Sequence, residues 1–334
     1  MEKSLNFRVL TCKRGDEMII KKRGMDHHLE GLQALYKRLP ESHPLREVID
    51  KKIRMKTAGI RGESKLVTVF DNYTFLDEIY ILHDLSFYST GRAQIDCLVI
   101  TPNFVLILEV KNIAGEMSFL MGTGQISRVL ENGQVDHFES PMVQIDRNSD
   151  LLFDWMRLND IQLPILGAVV LSNSTQKVNV QPNQYPVLFS GEIPSFIKRQ
   201  IKNYKAIELN QANKIAEMLV NEHQPFNPFP ICDRWHVDTA CLKKGVFCTK
   251  CCDGMMKRSF RTWDCEACFH RDPYAHVQAI KEFFMLVGGE ITNKKCREFF
   301  GIQSPQLVTR ILKELNLTVE GTGKKTKYKM KLRE

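Results

Sequence analysis

No stretch of this sequence stays apolar for the ~18 residues that a membrane-spanning helix needs; a strong run such as Phe104 to Glu109 is only strand-sized. The opening MEKSLNFRVLTCKRGDE has no hydrophobic core between its charges, so no signal peptide is expected and a cytoplasmic location is. Internal repeats and low-complexity segments are lacking. With 19 glycines and 13 prolines in 334 residues, collagen-like and disordered classes are excluded. The histidines form no nucleophile-and-base pattern of the kind a Ser or Cys hydrolase requires. What is present, 43% hydrophobic and 26% charged residues, is the composition of a globular protein of about two or three domains.

Charge and cysteine are both unevenly placed. The net charge is +8, and the segment from Pro228 onward, with 20 basic and 12 acidic residues, carries all of it. Such asymmetry points to an anionic partner, most often nucleic acid, although a solvated basic surface gives the same count. Seven of the ten cysteines lie between Cys232 and Cys268. With no signal peptide expected, that cluster reads as a metal site rather than as disulfides.

Along the chain, residues 1–58 read as a basic helical arm, with Leu32, Leu35 and Leu39 on one face. Gly59 and Gly62 interrupt the pattern, and a helix is expected from about Gly62 to Tyr73 with Leu66, Val69 and Phe70 inward. AQIDCLVI and NFVLILEVKN read as a hairpin; the second strand is apolar almost throughout and so should be covered on both faces. PILGAVVLS and PVLFS are further strands. SPMVQIDRNSDLLFDWMRL is a helix capped by Ser140, and GEIPSFIKRQI and NQANKIAEMLV are later helices. This alternation gives an α/β domain over 59–222. The proline-rich NEHQPFNPFP is the linker.

The hairpin register carries the chemistry. If Pro102 and Asn103 form the loop, paired residue numbers sum to about 205, so Asp96 faces Glu109 and Gln94 faces Lys111. Glu109 and Lys111 share one face by alternation. Opposed carboxylates are unfavourable in a sheet, and buried charge is costly unless paired or bound to metal. A hard divalent cation resolves both problems; carboxylates at wet strand ends with a salt-bridged lysine are the plainer reading.

The arrangement D-x12-E-x-K resembles the PD-(D/E)xK nuclease core, with Ile95 where that motif has proline. Gly62-Glu63, Ile95-Asp96, Glu109-Val-Lys-Asn112 followed by Gly115, and Ser140-Pro-x-x-Gln144 resemble the nuclease-related domain (NERD) family over about residues 55–175. The preceding arm, with its RLP and AGIRGE, also resembles bacterial members. The resemblance implies a restriction-endonuclease-like mixed sheet flanked by helices. It implies Asp96 and Glu109 as ligands of Mg²⁺ or Mn²⁺, Lys111 at the attacking water or developing charge, and Glu63 and Gln144 completing the catalytic set. A non-catalytic DNA-binding adaptor with a residual nuclease fold is the alternative.

Two smaller modules follow. Over 228–272, Cys248-x2-Cys251 and Cys265-x2-Cys268 have zinc-ribbon spacing, a closed structural Zn²⁺ site of four thiolates with Phe260 and Trp263 as its small core. A second ion on Cys232, Cys241 and a histidine stays open, as does the role of Cys252. Over 273–334, three helical patterns and two strands flanking Gly321-Thr322-Gly323 resemble a winged helix-turn-helix. In it Gln303, Gln306 and Arg310 lie near the exposed side of the recognition helix and Lys324, Lys325 and Lys327 form the wing, contacting DNA phosphates. A helical bundle for protein docking is the alternative. Partners are thus nucleic acid, with DNA favoured, and no membrane; a homodimer or partner protein is left open.

Overall fold

The structure, a computed structural model, describes residues 17–120, 122–179, 184–206, 211–252, 254–330 and 332. In chain order its strands and helices are β1 (Glu17–Lys21), α1 (His27–Arg38), α2 (Arg46–Asp71), β2 (Ile79–Tyr88), β3 (Arg92–Ile100), β4 (Val105–Lys111), β5 (Glu116–Leu120), β6 (Gln125–Val129), β7 (Val135–Glu139), α3 (Pro141–Leu158), β8 (Ile165–Leu171), β9 (Val178–Asn179), β10 (Val187–Phe189), α4 (Ile193–Asn203) and α5 (Gln211–Asn221). They continue with α6 (Ile231–Arg234), β11 (Val246–Phe247), β12 (Met255–Arg258), β13 (Trp263–Cys265), β14 (Arg271–Asp272), α7 (Ala275–Leu286), β15 (Ile291–Thr292), α8 (Asn293–Phe300), α9 (Pro305–Glu314), β16 (Thr318–Glu320) and β17 (Lys327–Lys329). Two compact units result. One holds residues up to Met25 together with Thr57–Phe226, and the other holds Asp26–Lys56 with the chain from Asn227 onward. Cys12 lies outside the described residues.

The first unit is a mixed six-stranded sheet in the order β1-β2-β3-β4-β8-β10. Strands β2, β3 and β4 are antiparallel neighbours, while β1, β8 and β10 join in parallel. One face packs Leu82, Leu98, Ile100 and Ile107 against Ile145, Leu152 and Trp155 of α3 and Ile215 and Leu219 of α5. The opposite face packs Ile81, Val99, Leu106 and Leu108 against Leu66 and Phe70 of α2 and Ile193, Phe196 and Ile197 of α4. Burial on both faces is why β4 is an unbroken apolar run up to its acidic end. A second sheet, β7-β6-β5-β9, follows β4. Its strands are short and alternately exposed, and no sequence pattern drew attention to them.

Helix α2 corrects one expectation. It is continuous for 26 residues and runs through both Gly59 and Gly62. Gly62 marks close packing rather than a break: a Cβ there would lie 2.6 Å from Asn112 Cβ and 3.0 Å from Ser172 Oγ. The absent side chain lets α2 settle on the ends of β4 and β8, where Asn112 Nδ2 donates to the Ala58 carbonyl at 2.8 Å. Of the expected stripe Leu66 and Phe70 are buried, while Val69 is only half-buried.

In the second unit, Leu32, Leu35 and Leu39 of the α1 region are buried with Ile49, Ile231, Val237, Met285 and Leu286. Arg38, fully buried, donates to Glu282 through Nε at 2.7 Å and Nη2 at 2.6 Å, and to the carbonyls of Lys243 and Gly245. Its guanidinium also stacks on Phe299, 4.3 Å from the ring centre. Sheet β11-β12-β13-β14 and the helices α7, α8 and α9 share one core: Trp263 of β13 is buried against Phe300 and donates to His276 Nδ1 at 3.1 Å. Phe260, expected inside this core, is 84% exposed at the tip of the β12–β13 turn, so Trp263 and Met256 fill the interior instead. Thr292 and Ser304 cap α8 and α9 through their side chains, and Gly301 ends α8 in the left-handed conformation. Strands β15, β17 and β16 form a three-stranded sheet beside them.

Candidate active site and metal centre

The β3–β4 ladder pairs Cys97 with Leu108, Leu98 with Ile107, Val99 with Leu106 and Ile100 with Val105, the register the hairpin loop dictated. It stops where that register would bring Asp96 opposite Glu109. There Asp96 Oδ2 accepts the Val110 N–H at 2.9 Å, a side chain replacing the ladder bond. The face alternation also slips at this point. Ile95 and Leu98, three residues apart, lie in one core cluster, as do Leu82 and Leu85 on β2. Asp84, at the slip in β2, has φ +50°. Beyond the slip, Gln94 is not opposite Lys111 as the regular register required: its main chain is held by Asn148 of α3, with Nδ2 donating to the Gln94 carbonyl at 2.8 Å.

Around this point the structure gathers the five residues that the resemblance implied as a catalytic set. Lys111 Nζ lies 2.6 Å from Glu109 Oε1 and donates to Gln144 Oε1 at 2.6 Å. Gln144 Nε2 in turn reaches Glu139 at 3.2 Å. Glu63, from the middle of α2, accepts from Arg23 Nε at 2.7 Å. Gly115, at the end of the Glu-Val-Lys-Asn segment, has φ +92°, and a Cβ there would stand 2.4 Å from the Val129 carbonyl oxygen, so the turn out of β4 admits only glycine.

Electrostatically the site is crowded with negative charge. Glu109 is 6% exposed, and burial raises its carboxyl despite Lys111. Asp96 is raised by burial first and by Glu109 second, against Lys111 and the Val110 N–H. Glu63 is pushed up to about 7 by burial and then by Asp96, with Arg23 opposing. Asp84 raises both Glu63 and Asp96. Carboxyls held above their usual range lack sufficient positive charge nearby, and their hard oxygens suit Mg²⁺ or Mn²⁺. Among the described residues, however, no three of these carboxylates bring ligand oxygens within 4.8 Å of one another; their partners are Arg23, Lys111 and a main-chain N–H. Arg23 and Asp84 were not found from sequence. Arg23 stands 40 residues before Glu63 outside any motif, and Asp84 shows its place only through strand pairing.

The cysteine cluster is tighter. Cys248, Cys251, Cys265 and Cys268 bring their sulfurs within 4.8 Å of one another, with Cys248–Cys268 at 3.6 Å and Cys251–Cys265 at 3.7 Å. Four sulfurs at about 2.3 Å from a tetrahedral zinc would be separated by about 3.8 Å, so the geometry fits that ion. The N–H groups of Lys250 and Gly254 point at Cys248 and Cys251 sulfurs, at 3.3 and 3.4 Å. Burial opposes ionisation of Cys248, yet the N–H groups of Cys251 and Lys250, together with the neighbouring Cys268 and Cys251 thiols, bring the thiol down to about 6. Gly254 is required here, since a Cβ would lie 2.5 Å from Cys265 Sγ. Cys252, with φ +65°, is exposed and outside the cluster. Cys232 and Cys241 join no second group of three metal-ligating side chains among the described residues.

On α9, Gln306 and Arg310 are exposed while Val308, Ile311 and Leu312 are buried. Lys325 and Lys327 are exposed, and Lys327 pairs with Glu290 at 2.5 Å. Lys324's side chain lies outside the described residues. Among the described residues no helix is long and apolar enough to cross a membrane.

No curated protein and no solved structure matches this chain. A family model does: residues 58–172 match the nuclease-related domain. That span begins in α2 five residues before Glu63 and ends just after β8, enclosing Asp96, Glu109, Lys111 and Gln144. The chain therefore carries a NERD nuclease-related domain as the core of its first unit.

Proposed function

We propose that the protein is a divalent-cation-dependent nuclease that hydrolyses phosphodiester bonds in DNA, and that its second unit holds the substrate. The observation that carries this is the buried Glu109 with Lys111 Nζ 2.6 Å away, beside a second carboxylate, Asp96, whose pKa is raised. Asp96 and Glu109 are the residues to hold Mg²⁺ or Mn²⁺, which when bound supplies Lewis-acid polarisation of the phosphate and a more acidic water. Lys111, fixed by Gln144, places its ammonium where the attacking water is oriented and negative charge develops. Glu63 completes the acidic set, and Arg23 neutralises it in the resting arrangement.

In the second unit, the four cysteines hold a structural zinc that closes the β11–β14 ribbon, because four thiolates leave no open position. Exposed Gln306, Arg310, Lys325 and Lys327 support a DNA-contacting role for the winged-helix-like segment of α7, α8, α9 and the β16–β17 hairpin, with Lys324 assigned to the same role from the sequence. Lysines contacting phosphate give affinity with little sequence choice.

Titration with Mn²⁺ tests the core of this reading. The parent chain should bind the ion, and Asp96→Asn or Glu109→Gln should abolish that binding while leaving DNA affinity intact. One observation favours the second reading, a non-catalytic DNA-binding adaptor: Glu63 is tied to Arg23, and no three carboxylates are gathered closely. A parent chain that binds DNA but no divalent cation would establish it.

A further inference from the structure

The strands that carry the acidic set lose their regular pairing close to it. Between β2 and β3 the ladder pairs His83 with Cys97 and Leu85 with Ile95, and it skips the position between them that Asp84 and Asp96 occupy. Nearby, β1 takes an extra residue: Ile19 pairs with Ile81 and Lys21 with Leu82, so Ile20 has no counterpart on β2. Asp84 lies in the left-handed region, φ +50°, which non-glycine residues adopt at a cost, aspartate less than most. Leu82 and Leu85 anchor β2 in one core on either side of this point, so the strand cannot slide to remove the irregularity.

An irregular strand leaves main-chain groups without ladder partners, and buried ones must be satisfied elsewhere. Here the donor is Lys21. Its Nζ donates to the carbonyls of His83 and Asp84, each at 2.7 Å, in part-buried surroundings. Consecutive carbonyls of a regular strand point to opposite sides, so two of them can converge on one ammonium only where the strand slips. Burial lowers the Lys21 pKa, with the Asp84 charge opposing it, so the ammonium sits here against a desolvation cost. On the far side of the slip, Asp96 Oδ2 accepts the Val110 N–H at 2.9 Å, which ties it to the strand that carries Glu109 and Lys111. The Asp84 charge is felt by Asp96 and by Glu63, so both sides of the slip lie within reach of the acidic set.

We propose that Lys21 is a positioning residue: by clamping the His83 and Asp84 carbonyls it holds the slip of β2, and the slip holds the Asp96 carboxylate against Val110 and beside Glu109. Without the ammonium both carbonyls lose their donor, the β2 main chain turns to satisfy them, and Asp96 leaves its place. The effect on Asp96 stands apart from the nuclease reading; its consequence for a bound cation rests on that reading.

The test compares the full-length parent with Lys21→Met, which keeps most of the side chain's length and removes its charge and donors. Backbone amide signals are followed by nuclear magnetic resonance, and Mn²⁺ affinity by calorimetry. The Val110 amide, which donates to a carboxylate in the parent, should move upfield in Lys21→Met. The amides of Leu98 and Ile107, in the regular part of the ladder, should stay in place and show that the sheet is intact. Should Lys21→Met fail to fold, Lys21→Gln, whose amide still donates, replaces it with a smaller displacement expected. Asp84→Gly should leave Val110 unmoved, since glycine keeps the left-handed backbone while the carboxylate is lost. Mn²⁺ affinity should fall roughly 10- to 100-fold in Lys21→Met, the scale of removing an outer partner of a metal ligand. A role through charge alone has the opposite sign, because deleting a cation beside carboxylates strengthens cation binding. An unmoved Val110 amide, or tighter Mn²⁺ binding in the variant, would overturn the proposal. A parent that binds no Mn²⁺ removes the nuclease reading alone, and the Val110 signal still decides the role of Lys21.

Discussion

Replacing Glu63 by glutamine should remove a specific pH dependence of folding. In the folded state its carboxyl is raised from the ordinary 4.5 to about 7, by burial and by Asp96. Between these two values the folded chain binds more protons at this site than the unfolded chain does, so stability falls as pH rises through that window. This is the reverse of a salt-bridged carboxylate. Each pKa unit corresponds to about 1.4 kcal/mol, so Glu63 alone accounts for a loss of order 3 kcal/mol between pH 4.5 and 7. Asp96 and Glu109 are shifted in the same direction, and because Asp96 raises Glu63 and Glu63 raises Glu109, the three losses will not add. The assay is urea unfolding at pH 5, 6, 7 and 8, read by hydrogen exchange in peptides covering β3 and β4, for the parent and Glu63→Gln. Losing Arg23's partner costs the variant a constant amount at every pH and leaves the slope difference intact. The variant's stability should fall less from pH 5 to 8, by about 2–3 kcal/mol. Equal slopes, or a parent that gains more stability than the variant over this range, would refute the idea that the acidic residues are crowded.

Other consequences are independent of catalysis. Purified protein should contain about one zinc, and Cys265→Ser should abolish it and loosen the second unit, because Cys265 and Trp263 share its core; metal analysis with far-ultraviolet circular dichroism would show this, and a metal-free chain with full structure would contradict it. Arg38→Ala leaves Glu282 buried with only Lys37, 3.1 Å away, so it should destabilise the second unit by about 3–5 kcal/mol in chemical denaturation. Replacing Lys324, Lys325 and Lys327 together by alanine should weaken duplex DNA binding and flatten its dependence on salt, as fewer counterions are released; fluorescence anisotropy across a salt series measures both.

Much of the first unit's hairpin was legible because two local facts determine it: a short Pro-Asn loop sets the register, and alternation sets the faces. The same arithmetic failed at Gln94, since it assumes a regular pleat and the pleat slips at Asp96 and at its neighbour Asp84. Gly62 was misread because helix propensity penalises glycine, whereas its use here, close approach to Asn112, is tertiary. Arg23 gave no signal, as it acquires its meaning only when the end of β1 lies beside α2. The cysteine spacing was legible to the residue, because two short knuckles are local geometry. Phe260 was not, since an aromatic in a hairpin turn looks the same whether it faces in or out. The burial of Arg38 by Glu282 joins residues 244 apart, a distance at which no sequence pattern speaks.

Cleavage of supercoiled plasmid in Mg²⁺ or Mn²⁺ by the parent, Glu109→Gln and Lys111→Ala tests the central claim most directly. The parent should nick or linearise the plasmid, Glu109→Gln should be inactive, and Lys111→Ala should keep its metal yet lose roughly 100- to 1000-fold in rate, the scale of removing one preorganised donor from a developing charge. A Glu109→Gln chain that cuts as fast as the parent, or a parent that cuts no nucleic acid with either ion, would contradict it.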